Sequence, residues 1–287
     1  MRVVYLHALR KARGQILGWG LALFLLGLLL MPFYDSISSQ SEQLQQLLEI
    51  YPEEFIAFFG DFSEFATPEG FLNIEFFSYM PLLLGIFAVL AGSGLLAADE
   101  ESGHLDLLMG QPISRTKMFL ARMFAFLSTA AAICIIGWLG LVLPLPASGM
   151  DLTPAQLALP FVSVLAIVFL FGALTALLSL LVPSRRLAAT LGGVVLVASF
   201  FIEGFSGMIT ELEDVARYLP IHYYQGGDAL NGLKLEWVLA LAAAGLVLSV
   251  LALLRFQHKD LRVGGEGGWS LPLLGRRRKA TEAGTGD

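Results

Sequence analysis

This 287-residue chain is short of cysteine and of charge: it has one Cys, and Asp, Glu, Lys and Arg together make up only 15% of it. The lone Cys134 rules out an internal disulfide, and its place inside an apolar run leaves the redox compartment unread. A soluble domain carries roughly 25% charged residues. With 56% hydrophobic residues and a mean hydropathy of +0.72, a soluble globular fold is excluded. Catalytic signatures are missing too. None of the five lysines lies in a G-x-x-x-x-G-K-[ST] phosphate loop. There is no H-E-x-x-H, and the four histidines (His7, His104, His222, His258) are scattered, which argues against a metal centre. No G-x-S-x-G elbow occurs. His104 beside Asp106 is a weak acid/base pair or an ordinary solvated loop histidine. Nothing here points to an enzyme or to a nucleic-acid partner.

What is present is apolar length. A spanning helix needs about 20 apolar residues. Six runs qualify: Gln15–Tyr34, Tyr79–Ala98, Met123–Pro144, Leu157–Val182, Leu187–Ile209 and Val238–Leu254. The fourth is long enough to tilt, and Glu203 interrupts the fifth. No small-residue cleavage site follows the first run, so it reads as a span and not as a removable signal. The expected fold class is an all-α polytopic membrane protein with six transmembrane helices.

Charge sets the direction. With the N-terminus inside, 16 of the 18 Lys and Arg fall on inner segments, and only Arg217 and Lys234 fall outside. The positive-inside rule then places both termini in the cytoplasm. Residues 35–75 hold nine acids and no Lys or Arg. That acidic face is either a lure for cations or cationic cargo, or the consequence of a topology that keeps Lys and Arg inside.

Residues 1–13 form a basic amphipathic stretch, with Val4, Leu6 and Leu9 against Arg10, Lys11 and Arg13, suited to a helix in the inner interface. The membrane domain spans 14–256. Its outer loop, 35–76, keeps helical spacing at Leu44, Leu47, Leu48 and Tyr51, with Phe55, Phe58, Phe59, Phe62 and Phe65 beyond. Residues 203–236 contain Ile209, Leu212, Val215 and Leu219 at helical spacing before Pro220, a re-entrant or surface segment at the outer face. The tail, 257–287, is glycine-rich and ends in the basic run Arg276–Lys279, consistent with a flexible extension near anionic lipid.

Glu203 is the ionisable residue placed well inside a span. Sixteen residues after Leu187, it lies about 24 Å along the helix, toward the outer leaflet. An intramembrane carboxylate suggests a pathway role; a span broken at Gly204 and Gly207 would instead leave it wet. Phe87, Phe200, Phe201 and Phe205 are candidates to gate a path, with core packing as the alternative.

Residues 98–115, ADEESGHLDLLMGQPISR, carry four acids, a basic end and an apolar stripe between two spans. Leu105, Leu108 and Met109 share one helix face by i, i+3, i+4 spacing. Gly110 and Pro112 stop that helix, and Arg115, Lys117 and Arg122 lead into the next span. The segment 99–113 is a short cytoplasmic helix that docks on a protein or lies on lipid.

The run E-E-x-G-x-L-x-x-L-x-x-x-P-[IV]-S-R resembles ABC-2-type transporter permeases, here Glu100, Glu101, Gly103, Leu105, Leu108, Pro112, Ile113, Ser114 and Arg115. Tyr51-Pro52, Phe59-Gly60, Thr67-Pro68-Glu69-Gly70-Phe71 and Phe256 with Lys259-Asp260-Leu261 extend the likeness over nearly the whole chain. The resemblance implies a type V exporter-like fold, in which two six-helix units pair and two separate ATP-binding subunits dock below. It makes 99–113 a coupling helix, with Glu100, Glu101, Gly103, Leu105, Leu108, Met109, Pro112 and Arg115 toward the ATPase. It matches 1–13 to an interfacial connecting helix and 203–236 to outer re-entrant helices. No cofactor is bound directly; ATP and Mg belong to the partner. The implied place is the cell membrane, with a second copy and lipids as further partners. The acidic first outer loop departs from the family pattern.

Overall fold

The computed structural model describes residues 1–34, 67–97 and 114–258. The described residues form helices and turns with no strand. In chain order these are α1 (Arg2–Lys11), α2 (Arg13–Leu30), α3 (Pro68–Leu72) and α4 (Met80–Ser93). There follow α5 (Arg115–Val142), α6 (Pro154–Leu181), α7 (Arg185–Ser206), α8 (Thr210–Ala216) and α9 (Leu235–His258). Six helical stretches are long and apolar enough to cross a membrane, and they coincide with the six runs predicted from hydropathy. The protein is an all-α, multi-pass membrane protein.

The span ends differ from the hydropathy reading, and capping explains most of the difference. Four of the long helical stretches start at a Ser or Thr whose hydroxyl accepts a backbone N–H: Thr67 from Gly70, Ser114 from Lys117, Thr153 from Gln156 and Ser184 from Leu187. Thr153 and Gln156 complete a reciprocal capping box, with Pro154 in the first turn. The second span therefore begins at Pro68 instead of Tyr79, and the last residues assigned to the outer loop are helix. Within it, Asn73–Phe77 is one widened π-turn, closed by Ser78 N–H to the Asn73 carbonyl at 2.8 Å. The third span begins at Arg115 instead of Met123, so Arg122 lies in the helix and not in a flanking loop. The fifth does not break at Gly204; α7 runs unbroken to Ser206 and is capped at Gly207.

α6 is the centre of the bundle, packed against α4, α5, α7 and α9. Of its most apolar window 67% is buried, against 17% for α2 and 22% for α7 and α9. Close approach of backbones makes these contacts. Gly92 of α4 faces the Gly172 carbonyl of α6, and Gly27 of α2 faces the Gly140 backbone of α5. Small residues let membrane helices meet at short range, where no hydrophobic drive separates protein from lipid.

α2 and α5 run parallel, with Gly20 against Ile136, Leu23 against Gly137 and Gly27 against Gly140. Stepping back seven residues along each helix sets Arg13, the inner end of the first span, near Thr129. The fourteen residues from Arg115 to Ser128 thus extend α5 about 20 Å past that level. Within residues 1–13 the chain forms α1, separated from α2 by Ala12 alone and packed on α5.

Candidate functional site

Two polar clusters stand at opposite ends of the bundle. At the inner end, where the charge bias puts the cytoplasm, arginines from α5 and α7 hold the C-terminal ends of α4 and α9. Arg115 Nη1 donates to the carbonyls of Phe256 (2.9 Å) and Gln257 (3.2 Å), and its guanidinium sits 5.8 Å from the centre of the Phe256 ring. Gln257 Nε2 donates back to Thr116 Oγ1 at 3.0 Å. Two turns along α5, Arg122 is only 9% exposed and donates to the Leu95 carbonyl at 2.7 Å. Arg185, the first residue of α7, lies against Gly94.

These contacts have a common electrostatic cause. The last carbonyls of a helix have no intrahelical donor and carry partial negative charge. A guanidinium offers five N–H donors and keeps its charge under all ordinary conditions. Each arginine thereby satisfies orphan acceptors of a neighbouring helix while its own helix stays intact.

Of the sequence-predicted coupling residues, Arg115 is seen. Glu100, Glu101, Gly103, Leu105, Leu108, Met109 and Pro112 lie outside the described residues. The two ends of that segment, Ala97 and Ser114, are nevertheless placed. Arg122 ties the helix entering it to the helix leaving it, through Leu95. Sequence reasoning counted Arg122 and Arg185 as topogenic charges and missed their roles. The usable signal was position: Arg122 sits seven residues inside a capped helix start, too deep for a loop.

At the outer end, the segment after α7 folds back on the bundle. α8 is followed by two 3-10 turns, Pro220–Tyr223 and Gly226–Asn231. Glu203, inside α7, has its two carboxylate oxygens 3.1 and 3.2 Å from His222 Nδ1. His222 packs edge-on to Tyr223 and against Trp237, and Lys234 lies 4.4 Å over the Trp237 ring. Gln225 is buried and bonds three ways: its N–H to Ser163 Oγ, its Nε2 to the Lys234 carbonyl, and its Oε1 from the Lys234 N–H. Asn73, on the π-turn, accepts the Gly227 N–H at 2.8 Å, and a Cβ at Gly227 would strike Asn73 itself. Tyr224 donates to the Phe77 carbonyl at 2.9 Å; burial pushes its phenol well above the usual tyrosine range, so it remains a donor.

The gate candidates divide. Phe87 is 1% exposed, stacked on Phe126 at 5.9 Å and edge-on to Trp19. Phe200, Phe201 and Phe205 form a ladder on α7, with centroids 5.8 and 6.3 Å apart. Phe201 (46%) and Phe205 (36%) are exposed. The structure brings Glu203 to within one turn of this ladder and supplies it with His222, a partner the sequence did not reveal.

No group of three or more His, Cys, Asp or Glu side chains capable of holding a metal occurs among the described residues. No curated protein matches the chain significantly. The model of the family described as ABC-2 family transporter protein matches residues 2–261. A match over nine-tenths of the chain, on a six-span all-α bundle, places this protein in the ABC-2 transporter family as a membrane-embedded permease component.

Proposed function

We propose that the chain is the permease subunit of an ATP-driven exporter in the cell membrane, working as two copies with two separate ATP-hydrolysing subunits. ATP and Mg bind on those partners. The observation that carries this reading is the arginine-held inner end. Segment 98–113 links the end of α4 to the start of α5 in the sequence. Both points are anchored by charge-assisted bonds, which are shorter and stronger than neutral ones. A displacement of that segment would therefore pass into α4, α5 and α9 together.

In this mechanism the Leu105, Leu108 and Met109 face docks on the ATPase, with Glu100, Glu101 and Arg115 beside it. Nucleotide-driven closure moves α4 and α5. A path opens on the exposed side of α7, where Phe200, Phe201, Phe205 and Glu203 line its outer part. Few charges lie within the spans, so amphipathic or lipid-like cargo fits better than a small ion.

The test is purification in mild detergent followed by ATPase assay. An ATP-hydrolysing subunit is expected to accompany the permease in equal number. Leu108→Glu is expected to abolish stimulation of hydrolysis by the permease, because a charge in an apolar contact costs several kcal/mol. Undiminished stimulation with normal assembly would overturn the docking role.

A further inference from the structure

One lysine sits where neither topology nor the helix dipole favours it. Lys234 is an outer-side residue in a chain that keeps its Lys and Arg inside, and it directly precedes α9. The first N–H groups of a helix carry partial positive charge, which repels an ammonium. Arg217, the other outer cation, is paired with Glu213 and Asp214. Lys234 has no salt bridge among the described residues; its ammonium rests 4.4 Å over the Trp237 ring. We infer that this spot is a binding site for the organic ammonium head of an amphipath, which enters by displacing the Lys234 side chain. The inference rests on the exporter reading for its role, cargo held at the outer exit, and names that cargo as a cationic amphipath.

Three observations carry it. The first is a fixed platform. Buried Gln225 clamps the main chain of residue 234 from both sides, accepting its N–H at 2.7 Å and donating to its carbonyl at 3.1 Å. Trp237 is braced by Tyr223, edge-on at 5.6 Å, and by His222 at 5.9 Å. An indole face is the best side-chain surface for an ammonium. The second is charge. Partial burial holds the Asp228 carboxyl above the ordinary aspartate range, and the Lys234 charge draws it back down. A cation that replaces the lysine keeps this balance, whereas an anion meets the carboxylate. The third is shape. Ala240 and Ala244 follow Trp237 at i+3 and i+7, share its side of α9 and are exposed. α9 runs inward from Trp237, so a molecule with its head on the ring lays its tail in the apolar layer. Small side chains leave room for that tail.

The experiment uses the full chain in maltoside detergent, labelled with 5-fluorotryptophan and titrated with dodecyltrimethylammonium. Of the four tryptophan resonances, the one lost in Trp237→Phe is expected to shift saturably while the others stay. Lys234→Met vacates the ring and leaves the Gln225 clamp intact, because that clamp holds only the main chain. It is expected to tighten binding about threefold. Asp228→Asn is expected to weaken binding about threefold. Dodecylphosphocholine, which carries the same ammonium beside a phosphate as an outer-leaflet lipid does, is expected to bind about tenfold more weakly. Unchanged or weaker binding by Lys234→Met, full binding by Asp228→Asn, or equal shifts at all four tryptophans would overturn the site. Equal affinity for the phosphocholine would overturn it in favour of a lipid headgroup. The titration contains no ATPase, so its failure leaves co-purification of the hydrolysing subunit standing, and failed co-purification leaves the titration standing.

Discussion

The two ends of this bundle solve the same problem, unsatisfied backbone at helix ends, by different means. The inner end uses long charged side chains, Arg115 and Arg122, that reach across to carbonyls of other helices. The outer end uses short polar residues, Asn73, Ser163 and Gln225, and turns packed directly on the core. A guanidinium on a flexible stem tolerates displacement while keeping its bond; an amide clamped on both sides by backbone does not. In the proposed mechanism the inner end moves as a linked set and the outer end holds shape. Glu203 of α7 and His222 of the outer turns meet at 3.1 Å.

The contrast is broken most severely by Arg122→Leu. With the part-buried Leu95 carbonyl unmet, stability should fall by about 2 kcal/mol, read as a lower thermal unfolding midpoint in detergent. Arg122→Lys should recover part of it. Next comes the outer clamp: Asn73→Ala strands the Gly227 N–H and should cost about 1–2 kcal/mol. Hydrogen exchange should then accelerate at Gly226–Asn231 while the inner ends of α5 and α9 keep their protection. Equal acceleration at both ends would erase the proposed difference between them. Arg115→Gln is partly solvated and should lower stability by only about 1 kcal/mol. It should nevertheless loosen the α5–α9 contact, seen as a broadened distance between spin labels near Lys117 and Gln257. Smallest of all, Glu203→Gln should change stability by less than about 1 kcal/mol, because both partners are about one-third exposed. If Glu203 lines the path, that variant should alter transport far more than unfolding.

Much of the architecture was legible in the residues. Hydropathy found all six spans but not their starts, which the caps Thr67, Ser114, Thr153 and Ser184 set in four of them. The motif ending at Arg115 and the one beginning at Phe256 were each evident as strings. Their meeting, across 141 residues, was not. Glu203 stood out as a charge within an apolar run, yet its partner His222 lies beyond a helix end and a turn. Phe87 and Phe201 looked alike as aromatic residues in spans; one is core and the other faces outward.

The sequence by itself determined that this chain has six apolar spans, the charge bias from which its direction is read, and that it carries no phosphate loop of its own. Those are properties of local windows: about 20 residues decide transfer into lipid, and loop charge decides orientation. Only the tertiary structure decided which carbonyl each arginine meets and which span aromatics enter the core. Such pairings depend on the rotation and register of one helix against another, set by the fit of Gly92 on Gly172 and Gly27 on Gly140. Hydropathy is blind to that angle, because turning a helix about its axis leaves its composition unchanged.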